Sequence, residues 1–318
     1  MIRYRPFRNC DPPALAEIWR SQPPSRGLMQ PMTSGILDET VLAKPYFDRH
    51  GLILAVDDNR AMGFVHAGFG PNGDYSNVCT DVGVTCMLLV VPRDDRAVIR
   101  SALLARSEEY LRGRGARTLY GGEVFPYSPF YLGLYGGSDM PGVLISDAET
   151  LQCYRSAGYA EIERRFVMQR SVAGFRPPVD RRQMQIRRQF QVLATADLKS
   201  DNWWEACTIG QTERTWFSLQ GRVAAKACGH VVTWDIEPLA SGWGVRAAGI
   251  AQLQIEEPSR RQGLALFLLG EALRQLQSEG VTLAEVQIPE GDLATHRLFA
   301  KLDFSEVDQG IVLRKPEA

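Results

Sequence analysis

The sequence predicts a mixed α/β fold (an α+β mixed sheet) built from two copies of one unit, and three observations support this. The chain has 318 residues, about twice the length of an average domain. Apolar runs of strand length alternate with segments of helical periodicity, without regular βαβ winding. Near the end of each half one pattern recurs 145 positions apart: Asp147, Thr150, Tyr154, Gly158 and Tyr159 correspond to Asp292, Thr295, Phe299, Asp303 and Phe304.

Composition excludes several classes of protein. Hydrophobic residues make up 45% and charged residues 23% of the chain, a balance typical of globular proteins. The formal charge of -1 argues against nucleic acid as a partner, because binding phosphates needs a basic surplus. The apolar run Val84 to Val91 is too short for a membrane helix, and no apolar signal segment follows Met1, so we expect a cytoplasmic protein without membrane contact. Cysteines and histidines lack zinc-ligand spacing, so no metal is expected.

The first half shows strands and helices in a mixed order. The pattern predicts a strand over 2–7, helices over 11–20 and 36–47, and a hairpin of strands over 52–56 and 62–69. A strand over 82–91, a helix over 96–112, a strand over 118–125, a helix over 147–156 and a strand over 161–169 complete it.

The second half repeats the closing part of the first. A helix over 263–278 carries Leu266, Leu269, Leu273 and Leu276 at helical spacing, followed by a strand ending at Pro289, a helix from Asp292 and a strand over 310–314. Glycine, prolines and charges interrupt any regular pattern over 173–182. We therefore predict a first domain over 1–172, a linker over 173–186 and a second domain over 187–318.

The first copy carries an insertion of 18 residues between Pro126 and Asp147, rich in aromatic residues and glycine. A loop of this length can close a binding site or an interface, or it can cover the core of its own domain. The sequence leaves both roles open.

The strongest local signal for function follows a predicted strand and opens an amphipathic helix: Arg260, Arg261, Gln262, Gly263, Leu264 and Ala265. Free N–H groups and the helix dipole bind anions at such a position, and small residues let a phosphate approach the backbone. A pyrophosphate would fit here. The alternative is an ordinary glycine near a helix start beside two solvated arginines.

At these residues the chain resembles the GCN5-related N-acetyltransferase (GNAT) family, whose cofactor motif is matched by Arg260, Gly263 and Ala265. The duplication makes the whole chain look like a tandem GNAT protein, an arrangement also found in mycothiol synthase. The resemblance implies that Leu253, Gln254 and Ile255 meet the pantetheine and acyl group of acetyl-CoA. It also implies that residues 260–265 hold the pyrophosphate, with Asp292 and Phe299 of the closing helix beside the cofactor.

The same resemblance implies the chemistry. In the family an amine attacks the thioester directly, and a backbone N–H of the central strand stabilises the developing oxyanion. Glu256 and Glu257 are the candidates for the general base, and strand alternation sends one to each face. The family often places a tyrosine acid where Phe299 stands. In its absence either the CoA thiolate leaves without a dedicated acid, or His296 is the substitute. Asp235 and Glu237 are further possibilities for the acceptor side.

The first copy departs from the cofactor motif. After Pro92 it has no glycine, and Asp94 and Asp95 stand where phosphates would approach. We therefore expect acetyl-CoA to bind in the second domain and the first domain to bind it weakly or not at all.

The function expected is acetyl transfer from acetyl-CoA to an amine of a small molecule or peptide. The alternative is a pseudoenzyme that binds acyl-CoA or another protein without turnover. Phe299 and the missing first loop favour that alternative.

Overall fold

We analysed a computed structural model, in which residues 2–196, 198–223 and 226–316 are described. Its centre is one continuous mixed sheet that runs through both halves of the chain. Helices and connecting segments cover both faces of this sheet. None of the helices in the described ranges is long and apolar enough to cross a membrane.

The first half begins with a meander of antiparallel strands and continues with a parallel crossover. Its strands are β1 (Arg3–Pro6), β2 (Leu52–Asp57), β3 (Arg60–Pro71), β4 (Val78–Val90), β5 (Thr118–Gly121), β6 (Val143–Leu144) and β7 (Ala160–Ser171). Its helices are α1 (Pro12–Arg20), α2 (Ser34–Leu37), α3 (Arg96–Gly113) and α4 (Ala148–Ser156).

The second half repeats this plan after the additional helix α5 (Arg181–Gln189). Its strands are β8 (Phe190–Ala196), β9 (Arg214–Gly221), β10 (Ala227–Asp235), β11 (Ala247–Ile255), β12 (Leu283–Pro289) and β13 (Ser305–Lys315). Its helices are α6 (Trp203–Thr208), α7 (Glu237–Trp243), α8 (Leu264–Ser278) and α9 (Leu293–Ala300). The repeat is visible in local chemistry, since Asp147 and Asp292 cap α4 and α9 by accepting from the N–H groups of Thr150 and Thr295.

The two halves exchange their closing strands. The strand order is β1-β2-β3-β4-β5-β13-β7-β12-β11-β10-β9-β8. Strand β5 of the first copy pairs with β13 of the second, from Leu313 opposite Gly121, while β12 pairs with β7 of the first, from Leu283 opposite Ser171. The closing strands β7 and β13 then pair with each other at the centre. Each copy is therefore completed by backbone from the other.

The inserted loop of the first copy lies between the halves. Tyr131 and Leu134 are fully buried in a core cluster that also contains Trp234 of β10. The indole N–H of Trp234 donates to the carbonyl of Ser138 at 3.0 Å. Of the two roles open from the sequence, the loop therefore forms the contact between the copies as well as part of the core.

Three predicted elements differ in extent. The helix predicted over 36–47 is the short α2, which continues only as a π-helical turn, Asp38–Leu42, before Pro45. The strand predicted over 118–125 ends at Gly121, because Gly122 has a φ of +85° that turns the backbone away. Helix α5 begins at Arg181, inside the predicted linker. The prediction of two copies of a mixed α/β fold is confirmed.

Candidate functional site

A gap opens in the sheet at the same place in both copies. Parallel pairing of β11 with β12 ends at Ile250 opposite Val286, and that of β4 with β5 ends at Thr85 opposite Gly121. Directly after these pairs, each central strand has a β-bulge against its other neighbour. The strands diverge from there, so residues 251–255 and 86–90 each keep one backbone edge free of strand pairing within the described sheet.

In the second copy this free edge carries the residues predicted to meet pantetheine. Leu253 and Ile255 pack towards the core under α8, whereas Gln254 is exposed on the opposite face of the sheet. Their backbone pairs only with β10 on one side, Leu253 opposite Val231. Apart from the Ile255 carbonyl, which accepts from Nε of Arg260, the N–H and C=O groups on the other side can pair with an extended polar chain, as a further strand would.

The predicted phosphate loop lies at the start of α8 and turns through two residues with positive φ. Gly263 has a φ of +80° and Arg261 has a φ of +61°. This bend leaves the N–H groups of residues 262–265 without a hydrogen-bond acceptor among the described residues. The side chain of Leu264, the first residue of α8, is buried, while that of Gln262 is exposed. The result is a concave set of backbone donors at the positive end of α8.

Helix α5 holds this loop from behind. The guanidinium of Arg182 donates to the carbonyls of Gln262 at 3.0 Å and Arg261 at 2.8 Å. The amide of Gln183 donates to the carbonyl of Gly263 at 3.4 Å. Because the carbonyls are bound by α5, the N–H groups of the loop point the other way. Sequence analysis missed these contacts, since Arg182 lies in a segment that had no predicted structure.

The arginines of the motif have different positions. Arg260 donates through Nε to the carbonyl of Ile255 at 2.9 Å, which ties the loop to the end of β11. Arg261 and Arg260 are both exposed beside the free donors, so their charges add to the positive potential there. Ala265 stands in the first turn of α8, partly buried. The six residues of the predicted pyrophosphate motif thus lie around the start of α8.

The two candidate bases lie at the end of β11. Glu256 donates its N–H to the carbonyl of Cys228 and leads into a 3-10 turn that contains Glu257. Both carboxylates are exposed. Glu256 lies near His230 of β10, whose ring stacks on Trp216 with a centroid distance of 3.9 Å. Partial burial lowers the pKa of His230, and the Glu256 charge opposes this shift.

His230 was missed by sequence analysis. Its ring reaches Glu256 only through the antiparallel register that sets His230 opposite Gln254. A single histidine within a strand gives no local signal of that pairing. Asp235, weighed as an acceptor-side residue, instead pairs with Arg246 at 3.2 Å. Glu237 stands in the first turn of α7.

The closing helix α9 places the other predicted residues as follows. Asp292 caps the helix, and Phe299 is fully buried with its ring edge-on to Phe304. His296 is half-buried, and its ring lies 5.2 Å from that of Phe166. The roles of all three beside a cofactor stay predictions.

The first copy lacks a matching set of donors. Asp95 precedes α3, its carboxylate binds Arg93, and its carbonyl accepts from the N–H groups of Val98 and Ile99. Tyr154, at the position of Phe299, is buried and donates to the carbonyl of Thr85 at 3.3 Å. Its phenol thus holds the point where β4 and β5 separate.

Comparison with solved structures identifies the fold. A GCN5-related glucosamine N-acetyltransferase region of a fungal multi-domain GH3 β-N-acetylglucosaminidase superposes with a TM-score of 0.72 and 14% identity. That match covers 99% of this chain but only 38% of the fungal one. A tandem GNAT protein from the clavulanic acid biosynthesis pathway gives 0.66 and 14%, covering 100% of this chain and 99% of the other. A GCN5-related N-acetyltransferase from Sphaerobacter thermophilus gives 0.63 and 15%, covering 99% and 95%.

The chain therefore has the tandem GNAT fold, as the motif resemblance implied. No protein-family model and no curated protein matches the sequence. Within the described ranges no group of three or more His, Cys, Asp and Glu side chains is arranged to hold a metal ion.

Proposed function

We propose that the second copy transfers an acetyl group from acetyl-CoA to an amine of a small molecule or peptide. The observation that carries this proposal is the combination, in one copy only, of a free strand edge and a loop of free backbone donors. The edge begins after Ile250 and the loop surrounds Gly263. The fold supports acyl transfer in general, and this pairing of features favours a nucleotide-linked acyl donor.

The residues of this copy fit acetyl-CoA. Residues 262–265 would hold the pyrophosphate by their N–H groups, and Arg260 and Arg261 would add charge. The edge of β11 over Leu253, Gln254 and Ile255 would pair with the pantetheine amides. When bound, acetyl-CoA supplies an activated thioester carbonyl.

The protein's own groups orient the donor and accept a proton. The bulge after Ile250 turns the backbone of β11 at the point where the strands separate, so an N–H there can be directed at an acyl oxygen. Among the candidate bases Glu256 ranks before Glu257, because Glu256 lies beside His230. The lowered pKa of His230 keeps that imidazole neutral at pH 7 and able to accept a proton.

The first experiment is calorimetric titration of acetyl-CoA into the wild type and three variants. Gly263→Glu builds a charged side chain against α5, because a Cβ at Gly263 would lie 3.2 Å from Nε of Arg182, so the loop must shift and we expect the affinity to fall at least about tenfold. Gly263→Ala repeats the change without the charge, since any side chain is strained at a φ of +80° and its Cβ also meets Arg182 and Gln183. Val98→Glu is the matched control at the start of α3, where Val98 is 70% exposed. We expect one site per chain.

Unchanged affinity in Gly263→Glu would refute the loop assignment. Two sites per chain would contradict the assignment of binding to the second copy alone. Binding should be followed by release of the CoA thiol in the presence of a panel of amines. Tight binding without thiol release would instead favour a pseudoenzyme that binds acyl-CoA. The buried Phe299 would fit that function, because it offers no proton to a leaving thiolate.

If Glu256 accepts the proton, Glu256→Gln lowers kcat and leaves acetyl-CoA affinity unchanged, whereas Glu257→Gln leaves both unchanged. We propose the cytoplasm as the site of action on the sequence argument alone.

A further inference from the structure

The gap between β4 and β5 in the first copy forms a cavity of about 260 Å³. Its walls come from α3, from α4 and from the part of β4 that has no strand partner on the β5 side. The inserted loop closes one side. The chief lining residues are Met87, Leu89, Arg96, Arg100, Tyr135 and Glu149. No part of the proposed acetyl transfer uses this cavity.

Two arginines of α3 line the cavity wall. Arg100 is a buried residue of α3, with its side chain only 5% exposed. Its Nη1 lies 3.0 Å from Oε2 of Glu149, and Nη1 of Arg96 lies 2.8 Å from the same oxygen. Both Nε atoms are buried without a hydrogen-bond partner. Glu149, which is mostly exposed, therefore serves two largely buried guanidinium groups, and Oε1 of Gln22 accepts a further hydrogen bond from Nη2 of Arg96.

Two carboxylates lie near these two arginines, so a bound anion would have to replace one of them. Burial and the neighbouring Arg100 lower the pKa of Arg96, while Glu149 and Asp147 oppose that shift. The carboxylate of Asp147 also lines the cavity, where it caps α4 by accepting from the N–H of Thr150. The Nε atoms have almost no exposed surface, so an incoming carboxylate would take the Nη positions that the more exposed Glu149 holds.

The size and ends of the cavity do not suit a nucleotide. Pockets for ligands of drug size measure about 300–1,000 Å³, and this one is smaller. At the start of α3 the carbonyls of Arg93 and Asp95 accept from the N–H groups of Arg96, Val98 and Ile99, and Asp94 adds a negative charge nearby. The apolar walls of Met87 and Leu89 suit the body of a compact ligand instead.

We propose that the first copy binds a small organic acid in this cavity. Its carboxylate would lie between Arg96 and Arg100 in place of Glu149, and its apolar body would lie against Met87, Leu89 and Tyr135. The degenerate copy would thus retain the gap of the fold for a ligand other than acyl-CoA. This inference does not rest on the function proposed for the second copy.

The test uses hexanoate as the probe and hexanamide as its neutral match, titrated calorimetrically into the full chain. We expect hexanoate to bind and hexanamide not to. Glu149→Gln removes the competing carboxylate from a side chain that is 60% exposed, so hexanoate affinity should rise about tenfold. Such a gain cannot arise from misfolding. Arg100→Gln should abolish binding, while Arg112→Gln, exposed near the end of the same helix, should leave it unchanged.

Three results would overturn the proposal: equal binding of hexanamide, unchanged affinity in Glu149→Gln, or stoichiometric displacement of hexanoate by acetyl-CoA. The last result would make the cavity a second acyl-CoA site. Gly263→Glu should keep its hexanoate binding. That variant therefore separates failure of this proposal from failure of the acetyl-CoA assignment.

Discussion

Glu285 of β12 is a fully buried carboxylate that joins the two halves, so its replacement should lower stability measurably. Its Oε2 accepts from Nη1 of Arg26 and from the amide of Gln169, both at 2.6 Å. Its Oε1 accepts from the N–H of Ser138 at 2.7 Å. All three donors come from the first half, and charge-assisted bonds of this kind are the stronger ones.

The variant Glu285→Gln keeps the shape but removes the charge and turns an amide NH₂ towards these donors. Breaking a buried ion pair costs about 3–5 kcal/mol, and the lower end applies because the Arg26 side chain is 20% exposed. We therefore expect the free energy of unfolding to fall by about 3 kcal/mol. For a chain of 318 residues this corresponds to a fall in Tm of about 4–5 °C.

The assay is urea unfolding followed by tryptophan fluorescence, with thermal melting as the second measurement. The matched control is Glu290→Gln, an exposed glutamate just after the same strand, which should change stability by less than about 0.5 kcal/mol. If the two variants differ by less than about 1 kcal/mol, Glu285 does not hold the halves together as its contacts indicate.

Three further predictions concern pH, the loop and the contact between halves. Burial raises the pKa of Glu123 to about 7, so the carboxyl of the native protein keeps a proton that the unfolded chain releases. The free energy of unfolding should therefore fall as pH rises from about 4.5 to 7. Urea unfolding of Glu123→Gln should show this decline reduced by about 3 kcal/mol. Arg182→Gln frees the loop carbonyls and should weaken acetyl-CoA binding about threefold to tenfold by calorimetry, whereas the exposed Arg181→Gln should not. Trp204→Ala should lower the free energy of unfolding by about 3–5 kcal/mol, and Trp203→Ala by clearly less, because Trp204 is only 2% exposed.

The features that sequence analysis predicted well depend on local chemistry. The spacing of leucines along α8, the glycine at its start and the starts of α4 and α9 after Asp147 and Asp292 are properties of a few consecutive residues. The recurrence of such local patterns at one offset was enough to predict the tandem fold. The cofactor motif was predicted in the same way, as a glycine between a strand and a helix.

The exchange of β7 and β13 could not be predicted from the sequence. Because the two copies share one pattern, each closing strand offers similar edges to β5 and to β12, and only the whole fold selects between them. The hydrogen bonds from Arg182 to the loop could not be predicted either, since they join residues 79 and 80 positions apart. The nearness of His230 to Glu256 likewise depends on strand register rather than on spacing along the chain.

The crossed closing strands also affect how such a protein can change during evolution. Duplication of a gene normally gives two domains, and each can be deleted or recombined with other genes independently. Here a break between the copies would separate β7 from β12 and β13 from β5, leaving each fragment without the strand that completes its own copy. The two copies must therefore be inherited together. This constraint holds whichever of the two copies binds a cofactor.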